Sequence, residues 1–193
     1  MTVTGRKGLS RTNRARAYGE PVTLIDPYGG EDLPPALGTV VDQDRGSLPY
    51  ALIHGESLVA CASWALGSAG VTSVDFSTTW TGIQDAEEPL VLHDALCPMT
   101  PASFIADCLA GAVDSGTVVV GFHDHEGTRV ITSPVVLPQD VVAALADVPS
   151  HDFDELVAAL EARFPVQYAE APPAGRRVRS AADLTALEAD TTP

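Results

Sequence analysis

Residues 89–122, PLVLHDALCPMTPASFIADCLAGAVDSGTVVVGF, leave this chain little freedom of architecture. Two wholly apolar runs, LVL and VVV, bracket a stretch whose apolar residues recur at helical spacing. A strand that is apolar at consecutive positions is buried on both faces, which is the habit of parallel sheets covered by helices on either side. Between the runs, Thr100 is expected as an N-cap, with Pro101 at the first helical position and Gly116 just past the helix end. Strand, helix, strand in that order is a βαβ unit.

The rest of the chain repeats the alternation. LGTVVD (37–42), VTSVDF (71–76) and PVQYAEA (165–171) read as strands. GESLVACASWALGSAG (55–70), PQDVVAALADV (138–148) and HDFDELVAALEARF (151–164) read as helices, with Trp64 expected in the core. HDHEG (123–127) reads as the turn of a hairpin that returns through TRVI. STTWTGIQDAEE (77–88) reads as a polar loop with Trp80 exposed, a candidate anchor for a partner. RRVRSAADLTALEA (176–189) reads as a short strand bearing Arg176, Arg177 and Arg179, then a last helix with Ser180 as N-cap. These elements define one domain over residues 37–189, preceded by an extension over 1–36 and followed by a tail, 190–193.

Charge divides the chain in the same place. Residues 1–17 hold Arg6, Lys7, Arg11, Arg14 and Arg16 and no acid; the remainder holds six Arg, no Lys and all 26 acids, so the arm carries +5 and the body −20. A body so acidic repels polyanions, which confines any nucleic-acid contact to the arm. The arm has three readings: a solubilising end, an anchor for RNA, ribosome or anionic lipid, or a segment that docks on an acidic protein surface. No apolar run is long enough for a membrane span and no apolar h-region follows the basic N-terminus. Three cysteines without a CxxC pair, Cys61, Cys97 and Cys108, fit reduced thiols; the expected location is cytoplasmic.

Asp94 ends an apolar strand, and in open α/β sheets ligands bind beyond the carboxyl ends of strands. It is a candidate metal or ribose ligand; the competing reading is a strand-end Asp that bonds its own loop. His93 is expected to be a packed structural imidazole. His123 and His125, two apart, could share a metal, against the plainer reading of a polar hairpin tip. Cys97 precedes a helix start but has no basic neighbour in sequence to lower its pKa.

The central segment, with Val91, His93, Asp94, Ala95 and Pro98, resembles the V-H-D-A-A-R-P strand end of methylerythritol phosphate cytidylyltransferases. LPYALIHGESLVACASWAL and FPVQYAEAPPAGRRVRSAADLTALEA are similar to two further segments of that family, in the same order. The resemblance implies a Rossmann-like, doubly wound, mostly parallel sheet of the nucleotide-diphospho-sugar transferase type, and a homodimer. It also implies an enzyme that joins CTP to methylerythritol phosphate for isoprenoid synthesis, with magnesium as cofactor.

The departures from the family pattern are concentrated where phosphate would bind. In place of a Gly-rich loop followed by Arg and Lys, this chain has VVDQDRGSLPYAL, in which only Gly46 remains as a cofactor-binding glycine. Tyr50 takes the Lys position, Cys97 takes the Arg position, and Asp42 and Asp44 add negative charge. Phosphoryl chemistry needs converging cations and N–H donors. The expectation is therefore a divergent, non-catalytic cytidylyltransferase-like module that binds a protein or regulates, with no cofactor. The alternative is an active magnesium-dependent nucleotidyltransferase using Asp94, Arg45 and Arg177.

Overall fold

The computed structural model describes residues 34–75 and 78–192. The arm's Arg6, Lys7, Arg11, Arg14 and Arg16 lie outside the described residues.

Six strands form one sheet: β1 (Leu37–Val41), β4 (Thr72–Ser73), β5 (Leu90–Asp94), β6 (Val118–His125), β7 (Thr128–Leu137) and β8 (Val166–Glu170), in the order β4-β1-β5-β7-β6-β8. β1 runs parallel to β4 and β5, β6 runs parallel to β8, and β7 alone is antiparallel to its neighbours. The sheet is thus mixed and mostly parallel, as the double-faced apolar strands imply. A small hairpin, β2 (Leu52–Ile53) with β3 (Glu56–Ser57), stands apart from it.

Alternation along the strands sends successive side chains into two cores. Leu90 and Leu92 of β5 join Val118, Val120, Val135 and Leu137 on one face. There they meet α2 (Trp80–Asp85), α4 (Gln139–Ala144) and α5 (Phe153–Glu161). Val91, Val119 and Val136 face the other way, onto α1 (Leu58–Ser68) and α3 (Ala102–Ser115). A third cluster, Ile53, Leu58, Leu96, Val178 and Leu187, ties the hairpin and α6 (Ala181–Asp190) to the loop after β5.

Several local expectations shift. α3 starts one residue later than expected: Pro101 is its N-cap, and the Thr100 hydroxyl donates to Cys97 O at 2.9 Å. Gly116 does end it in the left-handed conformation (φ 64°). The hairpin turn is only Glu126-Gly127, both at positive φ, so His123, Asp124 and His125 belong to β6. Residues 176–179 form no strand; they follow a 3-10 turn at Pro173–Gly175 and run irregularly into α6, which Ser180 caps by accepting from Asp183 N–H.

The largest correction concerns the tryptophans. Residues 80–85 are a helix capped by Thr79, and Trp80 packs on the first core while its Nε1–H donates to Leu145 O at 2.9 Å. Gln84 adds three bonds to the same carbonyl cluster. The aromatic ring and the available carbonyl outweigh the polar character of the flanking threonines. Trp64, expected inside, is 58% exposed on α1.

Candidate functional site

The carboxyl ends of β1 and β5 meet in register, Val41 beside Asp94. Asp94 is buried, 1% exposed, and both of its carboxylate oxygens have donors. Oδ1 accepts from Arg45 Nε (3.2 Å) and Leu96 N–H (3.0 Å). Oδ2 accepts from Arg45 Nη2 (3.3 Å) and lies 3.0 Å from Arg177 Nη2. The structure thus brings together the three residues that the sequence suggests, Arg45, Asp94 and Arg177.

Each partner is aimed by its local backbone. Arg45 sits in a tight turn between Asp44 and Gly46, both at positive φ. A Cβ on Gly46 would meet no atom within 4 Å, so here the glycine serves the turn. The Arg45 guanidinium also donates to His151 O (2.6 Å) and Gln43 O (3.2 Å) and lies 6.0 Å from the Phe153 ring centroid. Arg177 is held by the buried Val178, whose N–H donates to Leu96 O at 2.7 Å. Asp94 N–H donates to Ser133 Oγ (2.9 Å), and the same oxygen shares a hydrogen bond with His93 Nδ1. Ser133 can reach this point because β7 is bulged over Thr132–Pro134 opposite Gly121 of β6, where a Cβ would fall 2.6 Å from Ser133 O.

Burial sets the chemistry of the neighbours. It pushes the His93 pKa down to about 3, so the imidazole is neutral and structural, as expected, and bonded to a hydroxyl. The Cys97 thiol is fully buried and pushed well up, by burial and then by Asp94, despite Arg177 and Arg45 nearby. A thiol in that state is no nucleophile. Burial and Asp107 push Cys108 up to about 12.

Beside Arg177 opens a cleft of about 360 Å³, lined by His123, His125, Thr132, Arg176, Arg177 and Arg179 among others. Arg176 pairs with Asp190 at 2.7 Å, and Asp183 also lines the cleft. Two of its polar atoms are buried without a partner: Thr132 Oγ1, on a residue 2% exposed, and His123 Nδ1. Sequence reasoning misses Thr132. The one signal for it is the polar pair Thr132-Ser133, which interrupts the apolar run of TRVITSPVVL.

The other side of the sheet's edge differs. A cleft of about 290 Å³ at the ends of β1 and β4 is lined by Asp42, Gln43, Ser63, Ser73 and Asp75, with no Arg or Lys among the described residues. The Tyr50 hydroxyl donates to Asp42 at 3.1 Å. No group of three or more His, Cys, Asp or Glu could hold a metal among the described residues. His123 and His125 do line one cleft, with arginines as their companions.

The topology and the placement of the charged site at the strand ends define a nucleotidyltransferase-type α/β fold. Solved structures with this fold include 4-diphosphocytidyl-2C-methyl-D-erythritol synthase from Anaerococcus prevotii. It is 11% identical, with a TM-score of 0.57, over 81% of this chain and 96% of the other. They also include 2-C-methyl-D-erythritol 4-phosphate cytidylyltransferase from Thermus thermophilus, at 16% identity and TM-score 0.56, over 80% and 98%. A CMP:2-keto-3-deoxy-manno-octonic acid synthetase complexed with CTP is similar at 13% identity and TM-score 0.52, over 81% and 97%. No protein-family model matches the sequence, and no curated protein is similar to it in sequence. The likeness is one of fold.

No helix of the described residues is long and apolar enough to cross a membrane.

Proposed function

We propose that this protein is a cytidylyltransferase-fold module that binds and regulates without transferring a nucleotidyl group. One observation carries the proposal: the two guanidiniums nearest the strand ends are both spent on the protein's own carboxylate. A triphosphate needs those cations free and converging, and each lost donor of this kind costs about 2.7–4 kcal/mol of transition-state stabilisation. The acidic cleft at β1 and β4 adds repulsion. Asp94, with donors on both oxygens, is also poorly disposed to hold magnesium, since a metal ion would have to displace a guanidinium.

A second reading, an active divergent cytidylyltransferase, is favoured by the open cleft. Thr132 and His123 offer unpartnered polar atoms beside Arg177, as a site for an anionic group requires. Asp94 would then hold magnesium only after releasing one guanidinium to the substrate.

Thermal unfolding with CTP, with inorganic phosphate, and with each plus magnesium separates the two. Both readings allow a shift from phosphate that Thr132→Val removes; the proposal expects none from CTP with magnesium. A ligand at 100 times its dissociation constant stabilises by about 2.7 kcal/mol, a few degrees for a domain of this size. A magnesium-dependent shift with CTP, accompanied by pyrophosphate release, would overturn the proposal in favour of the enzyme.

A further inference from the structure

Helix α1 reads LVACASWALGS, 11 residues without one charged side chain. Its inner stripe, Leu58, Ala62 and Leu66, is buried. A surface helix ordinarily turns charged residues outward, and a helix apolar all round is ordinarily covered. The outer side of α1 instead presents Trp64, 58% exposed. Trp64 and Cys61, one turn apart, wall a groove of about 450 Å³ with Ile53, Pro98, Met99 and Pro101.

The charged groups that the described residues bring to this groove are of one sign. Glu56 lines it, and Glu188 accepts from His54 N–H (2.8 Å) at the same hairpin. After burial, the charge of Glu56 is the next cause of the raised Cys61 pKa, which places that carboxylate close to the groove. Among the described residues no Lys or Arg lines it.

We propose that this groove docks a segment of another protein: an apolar anchor side chain on Trp64, Met99 and Pro98, flanked by Lys or Arg that face Glu56 and Glu188. Binding hot spots are enriched in Trp, which gains most when a partner covers it in a packed pocket. Charge complementarity selects a basic segment. A second copy of the domain is disfavoured on the same ground. Residues 18–193 hold 26 acids, six Arg and no Lys, so copies repel, and Arg45, Arg176 and Arg177 are already paired within the domain.

The test uses the full chain with Trp80→Phe, which leaves Trp64 as the sole tryptophan. The probes are two fluorescein-labelled peptides about three helical turns long, one of leucine and lysine, the other of leucine and glutamate in the same order. The lysine peptide is expected to shift Trp64 emission to the blue and to bind with an affinity that falls with salt. By anisotropy, Trp64→Ala should weaken it about thirtyfold, the equivalent of a hot-spot residue, and Glu56→Gln severalfold. Trp64 is exposed, so its variant should fold. Equal binding of the glutamate peptide, or unchanged binding after Trp64→Ala, would overturn the proposal. Concentration-dependent self-association that Trp64→Ala abolishes would overturn it in favour of a second copy. A blue emission in the free chain that reddens on deletion of residues 1–17 would overturn it in favour of that segment.

Discussion

At the carboxyl end of β5 a buried carboxylate has donors on both oxygens, whereas a short way off on β6 and β7 a buried hydroxyl and a ring nitrogen have none. The two regions share Arg177, which pairs with Asp94 and also lines the open cleft. Folded chains rarely leave buried polar atoms unpaired, because each costs about 1–3 kcal/mol. The comparison therefore turns on access: the carboxylate is saturated by the fold's own donors, His93 Nε2 beside it is unpartnered but sealed at 0% exposure, and the two unpartnered atoms of the cleft lie where a ligand can arrive. Two guanidiniums against one carboxylate also leave an excess positive charge on the cleft side.

The comparison is most easily broken at Asp94. Asp94→Asn leaves two largely buried guanidiniums facing an amide, and the loss of one partner from a buried pair costs about 3–5 kcal/mol. Urea unfolding should read that loss. A change below about 1 kcal/mol, the range of an ordinary surface substitution, would mean the corner is not structural and that Asp94 is held for chemistry.

Acid should act on the same corner through His93. Its folded pKa of about 3 lies below the unfolded value of 6.5. The folded state therefore binds fewer protons; the stability from this group is complete above pH 6.5 and is lost as pH falls toward 3. The slope is about 1.4 kcal/mol per pH unit for one proton. Unfolding measured at a series of pH values should show it, and His93→Gln should remove that component.

Adjacent residues on β7 sharpen the contrast. Ser133→Ala takes the acceptor from Asp94 N–H and the partner from His93 Nδ1, and should cost about 1–3 kcal/mol. Thr132→Val replaces an unpartnered hydroxyl by a methyl of similar shape, and should be neutral or stabilising by up to about 1 kcal/mol. Chemical denaturation of the two variants tests the opposite signs. A Thr132→Val as costly as Ser133→Ala would mean the hydroxyl has a partner, such as ordered water, and that the cleft is already filled.

Much of this is legible in the sequence. Fully apolar runs such as LVL and VVV imply a sheet covered on both faces, and Asp94 at the end of one run marks the corner. Arg45 and Arg177 can be paired with it because a family resemblance orders segments far apart in the chain. Thr132, Ser133 and His151 are not readable in that way. Their roles depend on the bulge of β7 opposite Gly121 and on a carbonyl, which any residue type supplies. Trp80 escapes a sequence reading because its polar neighbours suggest a loop, although Thr79 is an N-cap and Ile83 and Gln84 anchor the turn it begins. Trp64 escapes it because an uncharged helix suggests burial on every side.

The two tryptophans carry the smallest expected effects. Trp80→Phe keeps most of the apolar contact and loses the bond to Leu145 O, which should cost about 1 kcal/mol. Trp64→Ala removes a side chain that is more exposed than covered, and surface changes of that kind fall within about 0.5 kcal/mol of neutral. Measured side by side in denaturant, the pair distinguishes a residue that builds the domain from one that waits on its surface. A Trp64→Ala that destabilised the isolated chain more than Trp80→Phe would show that α1 spends its tryptophan on the fold. The uncharged outer face of that helix would then need a cause inside the domain, and its groove would lose the argument for a partner.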